Sequence, residues 1–308
     1  MTYQTAFDQQ DFMANYWQQR PCLLKQGMLD FVDPLSPEEL AGLAMEADIQ
    51  SRLVTCHEQQ WEAHLGPFED FALLGESHSS LLVQGVDHWH SEVAKLAAAF
   101  QFIPNWRFDD VMISYSTVKG GVGPHIDQYC VFIIQGQGKR HWRVGQKQIL
   151  KEFASHDKLK HCEDFVAEID VVLEAGDVLY IPPGCPHEGY AIEPSMNYSV
   201  GFRAPNAKDL VTGFADYLLQ HETNSQRFAD PRRQETKEFG RVAENDTLAL
   251  NKLMQTLLNS PQACAHFLGE YLSDSSHSSD IVVLSGSDQE LAMSDLRQLM
   301  EQGAELKR

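Results

Sequence analysis

The spacing of apolar and polar positions divides the chain into a helical opening, a β-rich middle and a helical end. Near the start, Ser36-Pro37-Glu38-Glu39 places a capping serine, a proline at the first helical position and a glutamate at the third, just ahead of Leu40, Leu43 and Ala44. That capping box predicts a helix over 36–47. A second helix is expected over 91–100. From residue 111 to 202 the period drops to two, with short β-branched and aromatic runs at 111–116, 129–134, 140–144, 178–181 and 197–202 between glycine-rich turns. Runs of this length and spacing predict an antiparallel sandwich or barrel.

After Arg203-Ala204-Pro205 the helical period returns. Asn206 is placed to cap a helix, with Asp209 at its third position and Leu210, Val211, Phe214, Tyr217 and Leu218 along one stripe. Leu250, Leu253, Met254, Leu257 and Leu258 form a second stripe, and Ser260-Pro261 opens a third helix carrying Phe267, Leu268 and Tyr271. A few helices alone bury little apolar surface, so these stripes are expected to pack as core or as a subunit interface, favouring a homodimer. Residues 273–280 read as a polar linker, and a short helical segment is expected over 294–302.

Composition and charge narrow the picture modestly. The 308 residues, 43% of them hydrophobic, suit one large β domain with a smaller appendage. Lysine plus arginine number 24 against 44 aspartate plus glutamate, a formal net charge of −20. Such a surface repels phosphate backbones and membrane lipids and favours basic partners, although acidity that serves only solubility has the same composition. No basic-then-apolar leader and no long apolar run occurs, so a cytoplasmic protein without membrane or direct nucleic-acid contact is expected. The six cysteines include no Cys-x-x-Cys pair, which fits reduced thiols.

The candidate chemistry lies in the β region. On a strand, positions i and i+2 face the same way, so His125 and Asp127 can offer a nitrogen and a carboxylate oxygen to one metal. Gly176-Asp177-Val178-Leu179-Tyr180-Ile181-Pro182-Pro183-Gly184-Cys185-Pro186-His187 is a strand followed by a rigid corner that delivers another histidine. Two histidines and one carboxylate suit non-heme Fe(II), because three positions stay open for substrate and oxygen chemistry. A dimeric, non-enzymatic module holding structural Zn(II) would normally need a fourth protein ligand. His88 and His90 share the i, i+2 spacing but precede a helix, and are expected to mark its entry.

In Arg140-His141-Trp142-Arg143-Val144, one face carries Arg140, Trp142 and Val144, which points Arg140 inward. A buried guanidinium needs a partner, and an acidic ligand is expected, with an internal structural salt bridge as the competing reading. Ser114 and Asn197, with Ser199, alternate with apolar neighbours and give the interior a wet end, where they can also serve buried backbone groups.

Together these residues, and the segments Tyr16-Trp17-Gln18-Gln19-Arg20-Pro21, Gly123-Pro124-His125-Ile126-Asp127-Gln128-Tyr129 and Tyr198-Ser199-Val200-Gly201-Phe202-Arg203-Ala204-Pro205, resemble the JmjC-type ribosomal oxygenases of the cupin superfamily over essentially residues 1–272. The resemblance implies a mainly β fold with appended helices. A double-stranded β-helix (cupin/jelly-roll) would occupy 1–205, a helical dimerisation region 206–272, and a linker with the start of a winged-helix-like domain 273–308. It implies Fe(II) on His125, Asp127 and His187, O2, and 2-oxoglutarate held by Arg140 with Ser114; Asn197 is a further candidate contact. It also implies hydroxylation of an arginine β-carbon in a basic large-subunit ribosomal protein, with release of succinate and CO2. A JmjC-type lysine demethylase or a small-molecule cupin dioxygenase would use the same iron. General cupins carry a second histidine where Asp127 stands, and this chain departs from them there.

Overall fold

The computed structural model describes residues 2–221, 227–235 and 240–273. Apart from Ser273, the segment expected to be a linker and the helix expected over 294–302 lie outside the described residues. The chain divides into two compact units between Ala204 and Pro205.

Local chemistry starts the first unit. Asp8 caps the short helix α1 (Gln9–Asn15), its carboxylate accepting from the N–H groups of Gln10 and Asp11. Strand β1 (Cys22–Leu24) follows, then helix α2 (Pro37–Ala44). The Ser36 hydroxyl accepts from Glu39 N–H at 3.2 Å while the Glu39 carboxylate accepts from Ser36 N–H at 2.7 Å. The helix ends three residues before the expected 47, because the N–H groups of Met45 and Glu46 donate to Gly42 and Leu43 and tighten the last turn.

Next come β2 (Ser51–His57), β3 (Gln60–Leu65), β4 (Ser79–Val83), α3 (Ser91–Ala98), β5 (Phe108–Ser116), β6 (His125–Ile126), β7 (Cys130–Gln135), β8 (Arg140–Gly145), β9 (Glu152–His156) and β10 (Leu159–Cys162). Strands β11 (Ala167–Leu173), β12 (Val178–Ile181), β13 (Pro186–Ala191) and β14 (Ser195–Phe202) complete the unit. An eight-stranded sheet runs β1-β12-β7-β14-β5-β4-β2-β3, a four-stranded sheet runs β11-β8-β13-β6, and β9 with β10 forms a hairpin.

The period of two explains which way each strand faces. In β7, Cys130, Phe132 and Ile134 join a core that also takes Phe12, Leu40, Val93 and Leu96 from the helices. Val131 and Ile133 point the other way, toward Trp142 and Val144 of β8 and Leu179 and Ile181 of β12. The large sheet is thus covered by helices on one face and by the small sheet on the other, so β7 is buried throughout and reads as a continuous apolar run. The jelly-roll arrangement expected for this region is the one observed.

The second unit contains α4 (Ala207–His221), α5 (Glu244–Leu258) and α6 (Pro261–Ser273). The Asn206 side-chain oxygen accepts from Lys208 and Asp209 N–H, the expected cap. Phe214 of α4 packs on Phe267 of α6 with ring centres 5.3 Å apart. Leu219, Leu248, Met254 and Leu258 remain exposed. No helix among the described residues is long and apolar enough to cross a membrane.

Candidate active site

Strand pairing brings the two histidines together. His187, the second residue of β13, lies directly opposite His125 of β6 in an antiparallel ladder, and their ring centres lie 4.2 Å apart. Asp127 sits one residue past the end of β6, where its carbonyl accepts from Gly184 N–H at 2.8 Å and ties the loop to the proline-glycine corner. One carboxylate oxygen of Asp127 lies 3.8 Å from His125 Nε2 and 3.6 Å from His187 Nε2. The ligand atoms of all three residues fall within 4.8 Å of one another.

Hydrogen bonds on the far side of each ring set its tautomer. His125 Nδ1 is 2.9 Å from the Gly123 carbonyl and His187 Nδ1 is 3.0 Å from the Cys185 carbonyl. A carbonyl can only accept, so each Nδ1 carries the proton and each Nε2 turns a lone pair toward Asp127. Burial, and then the neighbouring His125, pull the His187 pKa down to about 4, so its imidazole is neutral at physiological pH. Neutral imidazole is the ligand form. The donor set therefore fits a divalent transition ion on one face, with the remaining positions open. Burial, and then the nearby negative charge of Asp127, hold the Tyr129 phenol's pKa above its ordinary value.

The triad lines a cavity of about 350 Å³ between the two sheets, which also receives Arg140, Trp142, Ser114 and Asn197. Arg140 is 5% exposed and reaches from the small sheet to the large one. Its Nη1 donates to Ser114 Oγ at 3.1 Å and its Nη2 to Ser116 Oγ at 2.7 Å. Among the described residues no carboxylate pairs with it, and its Nε–H has no partner. The internal salt bridge considered as the competing reading is not what the structure contains. Desolvation lowers the guanidinium pKa to about 9, which leaves it charged at neutral pH. Such a group is poised for an anion arriving from outside.

Asn197 stands opposite Ser114 in the β14–β5 ladder. Its amide N–H donates to the Gln135 side-chain oxygen at 3.0 Å, which leaves the Asn197 oxygen buried without a partner. The residue thus presents an acceptor rather than an anion-binding donor.

Another wall residue, Asp110, does not emerge from motif spacing. It is 4% exposed and lines the same cavity. One of its oxygens accepts from Gly85 N–H at 2.8 Å and from the Gln84 amide at 2.7 Å, while the other has no partner among the described residues. Desolvation raises its pKa to about 6. The signal was present in the alternation of β5, since Asp110, Met112 and Ser114 occupy one face.

A jelly roll with a three-donor face at the mouth of its cavity defines the class, and the JmjC domain family matches residues 95–210. A ribosomal protein uL16 3-hydroxylase of Escherichia coli strain K12 is 50% identical over 281 residues, spanning 91% of this chain and 75% of that protein. An X-ray structure of E. coli ycfD superposes with a TM-score of 0.88 at 46% identity, covering 98% of this chain and 81% of that one. A second structure, of the E. coli ribosomal oxygenase YcfD in complex with cobalt and 2-oxoglutarate, has a TM-score of 0.84 at 45% identity over 97% of this chain and 79% of that one. The chain belongs to the JmjC-type ribosomal oxygenases of the cupin superfamily, and is an oxygenase.

Proposed function

We propose that this protein is an Fe(II)- and 2-oxoglutarate-dependent hydroxylase that modifies the β-carbon of an arginine side chain in a basic protein of the large ribosomal subunit. The observation that carries this reading is a single cavity joining a three-donor face to a buried guanidinium with no carboxylate partner among the described residues. His125, Asp127 and His187 would hold the iron. When bound there, with 2-oxoglutarate and O2, the metal supplies the oxidising power to hydroxylate an unactivated C–H bond as succinate and CO2 are released.

The chain's own groups do the positioning. Arg140 offers its fork to the distal carboxylate of 2-oxoglutarate, and Ser114, whose oxygen already accepts from Nη1, keeps its O–H free to donate to the same anion. Asp110 supplies an unpaired carboxylate oxygen for the cationic head of the substrate side chain. The relatives support this reading through what they are: one is a uL16 3-hydroxylase, and another was solved with cobalt and 2-oxoglutarate.

The exposed apolar positions of the second unit suit a homodimer, which a monomeric mass in solution would contradict. A cytoplasmic location, where a ribosomal substrate is met, completes the reading. Purified protein given Fe(II), 2-oxoglutarate and a large-subunit ribosomal peptide is expected to form succinate, and His125→Ala to form none. Equal turnover by the variant sinks the assignment.

A further inference from the structure

The two histidines of the triad are held very unequally. His187 is 2% exposed and stands second in a six-residue strand paired with β6 on one side and β8 on the other. His125 is less buried and belongs to a strand of two residues, preceded by Gly120-Gly121-Val122-Gly123-Pro124. A glycine-rich run of this kind has little conformational preference of its own. The ring of His125 is fixed by one hydrogen bond, to the carbonyl of Gly123.

The residues on either side of that carbonyl are held from the β9–β10 hairpin. His161 of β10 is 3% exposed, and its Nε2 lies 2.8 Å from the Val122 carbonyl, one residue before Gly123. Its imidazole lies directly against Gly123, where a Cβ would come within 2.4 Å of the ring nitrogen. Gly123 also has a φ of +81°, so both backbone conformation and space require glycine there. Trp61 meets the His161 ring edge-on with centres 4.7 Å apart, and Cys162 N–H donates to the Pro124 carbonyl at 2.9 Å. The hairpin thus grips the loop at Val122, Gly123 and Pro124, directly before the histidine.

We infer that His161 is a positioning residue for the metal site: it holds the 122–124 loop so that the Gly123 carbonyl orients His125 with Nε2 toward Asp127 and His187. The inference rests on the triad being the metal site and adds a residue that carries no metal itself. Partners that orient a ligating histidine typically govern metal affinity by about 10–100-fold.

Co(II) titration of the full chain, followed by calorimetry and the visible spectrum, tests this without turnover. Wild type is expected to bind one Co(II) and His125→Ala none. His161→Phe keeps a ring against Trp61 and Gly123 but removes the N–H; it is expected to weaken Co(II) by roughly 10–100-fold and alter the spectrum, with an unchanged metal-free melting temperature. His161→Gln, which keeps a donor, is expected to bind more tightly than His161→Phe. The inference is overturned if His161→Phe binds Co(II) like wild type, or if it loses stability and affinity together. Absence of Co(II) binding by wild type overturns the triad reading, and this inference with it.

Discussion

Arg140 and Asp110 are opposite charges buried in one cavity, each without an ionic partner among the described residues, and each has a separate consequence. On the proposed reading, Arg140→Met removes charge-assisted hydrogen bonds to the distal carboxylate of 2-oxoglutarate, worth about 1.5–3 kcal/mol. The KM for 2-oxoglutarate is expected to rise roughly 10- to 150-fold, measured by succinate release at varied cosubstrate. Because desolvation raises the Asp110 pKa from 3.8 to about 6, the folded state gives up stability as pH rises through that window, and a bound cation offsets the loss. If Asp110 receives the substrate cation as proposed, peptide binding needs its ionised form, and the peptide KM is expected to climb as pH falls below about 6. Asp110→Asn should raise the KM and flatten its pH dependence; an unchanged profile would remove Asp110 from substrate recognition. The clustering of His125, Asp127 and His187 was legible in the sequence because i, i+2 spacing and a proline-glycine corner are local signals. Alternation along β5 puts Asp110 on the face of Ser114, but its role was not legible, since that depends on Gln84 and Gly85 reaching it from another part of the chain.

At the level of elements, the strands with the strongest apolar alternation were legible almost to the residue: 178–181 coincides with β12, and 140–144 with β8 less its last position. Strands β2, β3, β9 and β11 were not, because exposed and polar side chains interrupt their apolar pattern, nor was β4, whose buried Ser79 and Ser80 leave only three apolar residues; cross-strand pairing holds them instead. Strand β6 has only two residues and exists through its pairing with β13, so no window on the sequence detects it. Helix α1 is short enough that its Asp8 cap is the main local cue. The β13–β8 pairing carries its own test. Gly189 lies opposite Trp142, and a Cβ there would come within 2.6 Å of the indole. Gly189→Ala is expected to cost about 1–3 kcal/mol through overpacking. Thermal melting should fall by roughly 2–12 °C, and an unchanged midpoint would show that the indole has room to move.

Over the whole molecule, the β region over 111–202 and the helical end followed from periodicity, whereas the opening expected to be helical also supplies β1–β4 to the large sheet; the first unit ends one residue before the boundary expected at 205. The net charge of −20 agrees with a basic partner without specifying one. The substrate is the part that no spacing encodes, because an arginine pocket is a property of a folded cavity. The most direct measurement is therefore mass spectrometry of a large-subunit ribosomal peptide after reaction with the protein, Fe(II) and 2-oxoglutarate under ¹⁸O₂. The account predicts one oxygen atom, derived from O2, on an arginine β-carbon, formed in step with succinate. Loss of a methyl group from lysine, or succinate without any oxygen on the peptide, would contradict it.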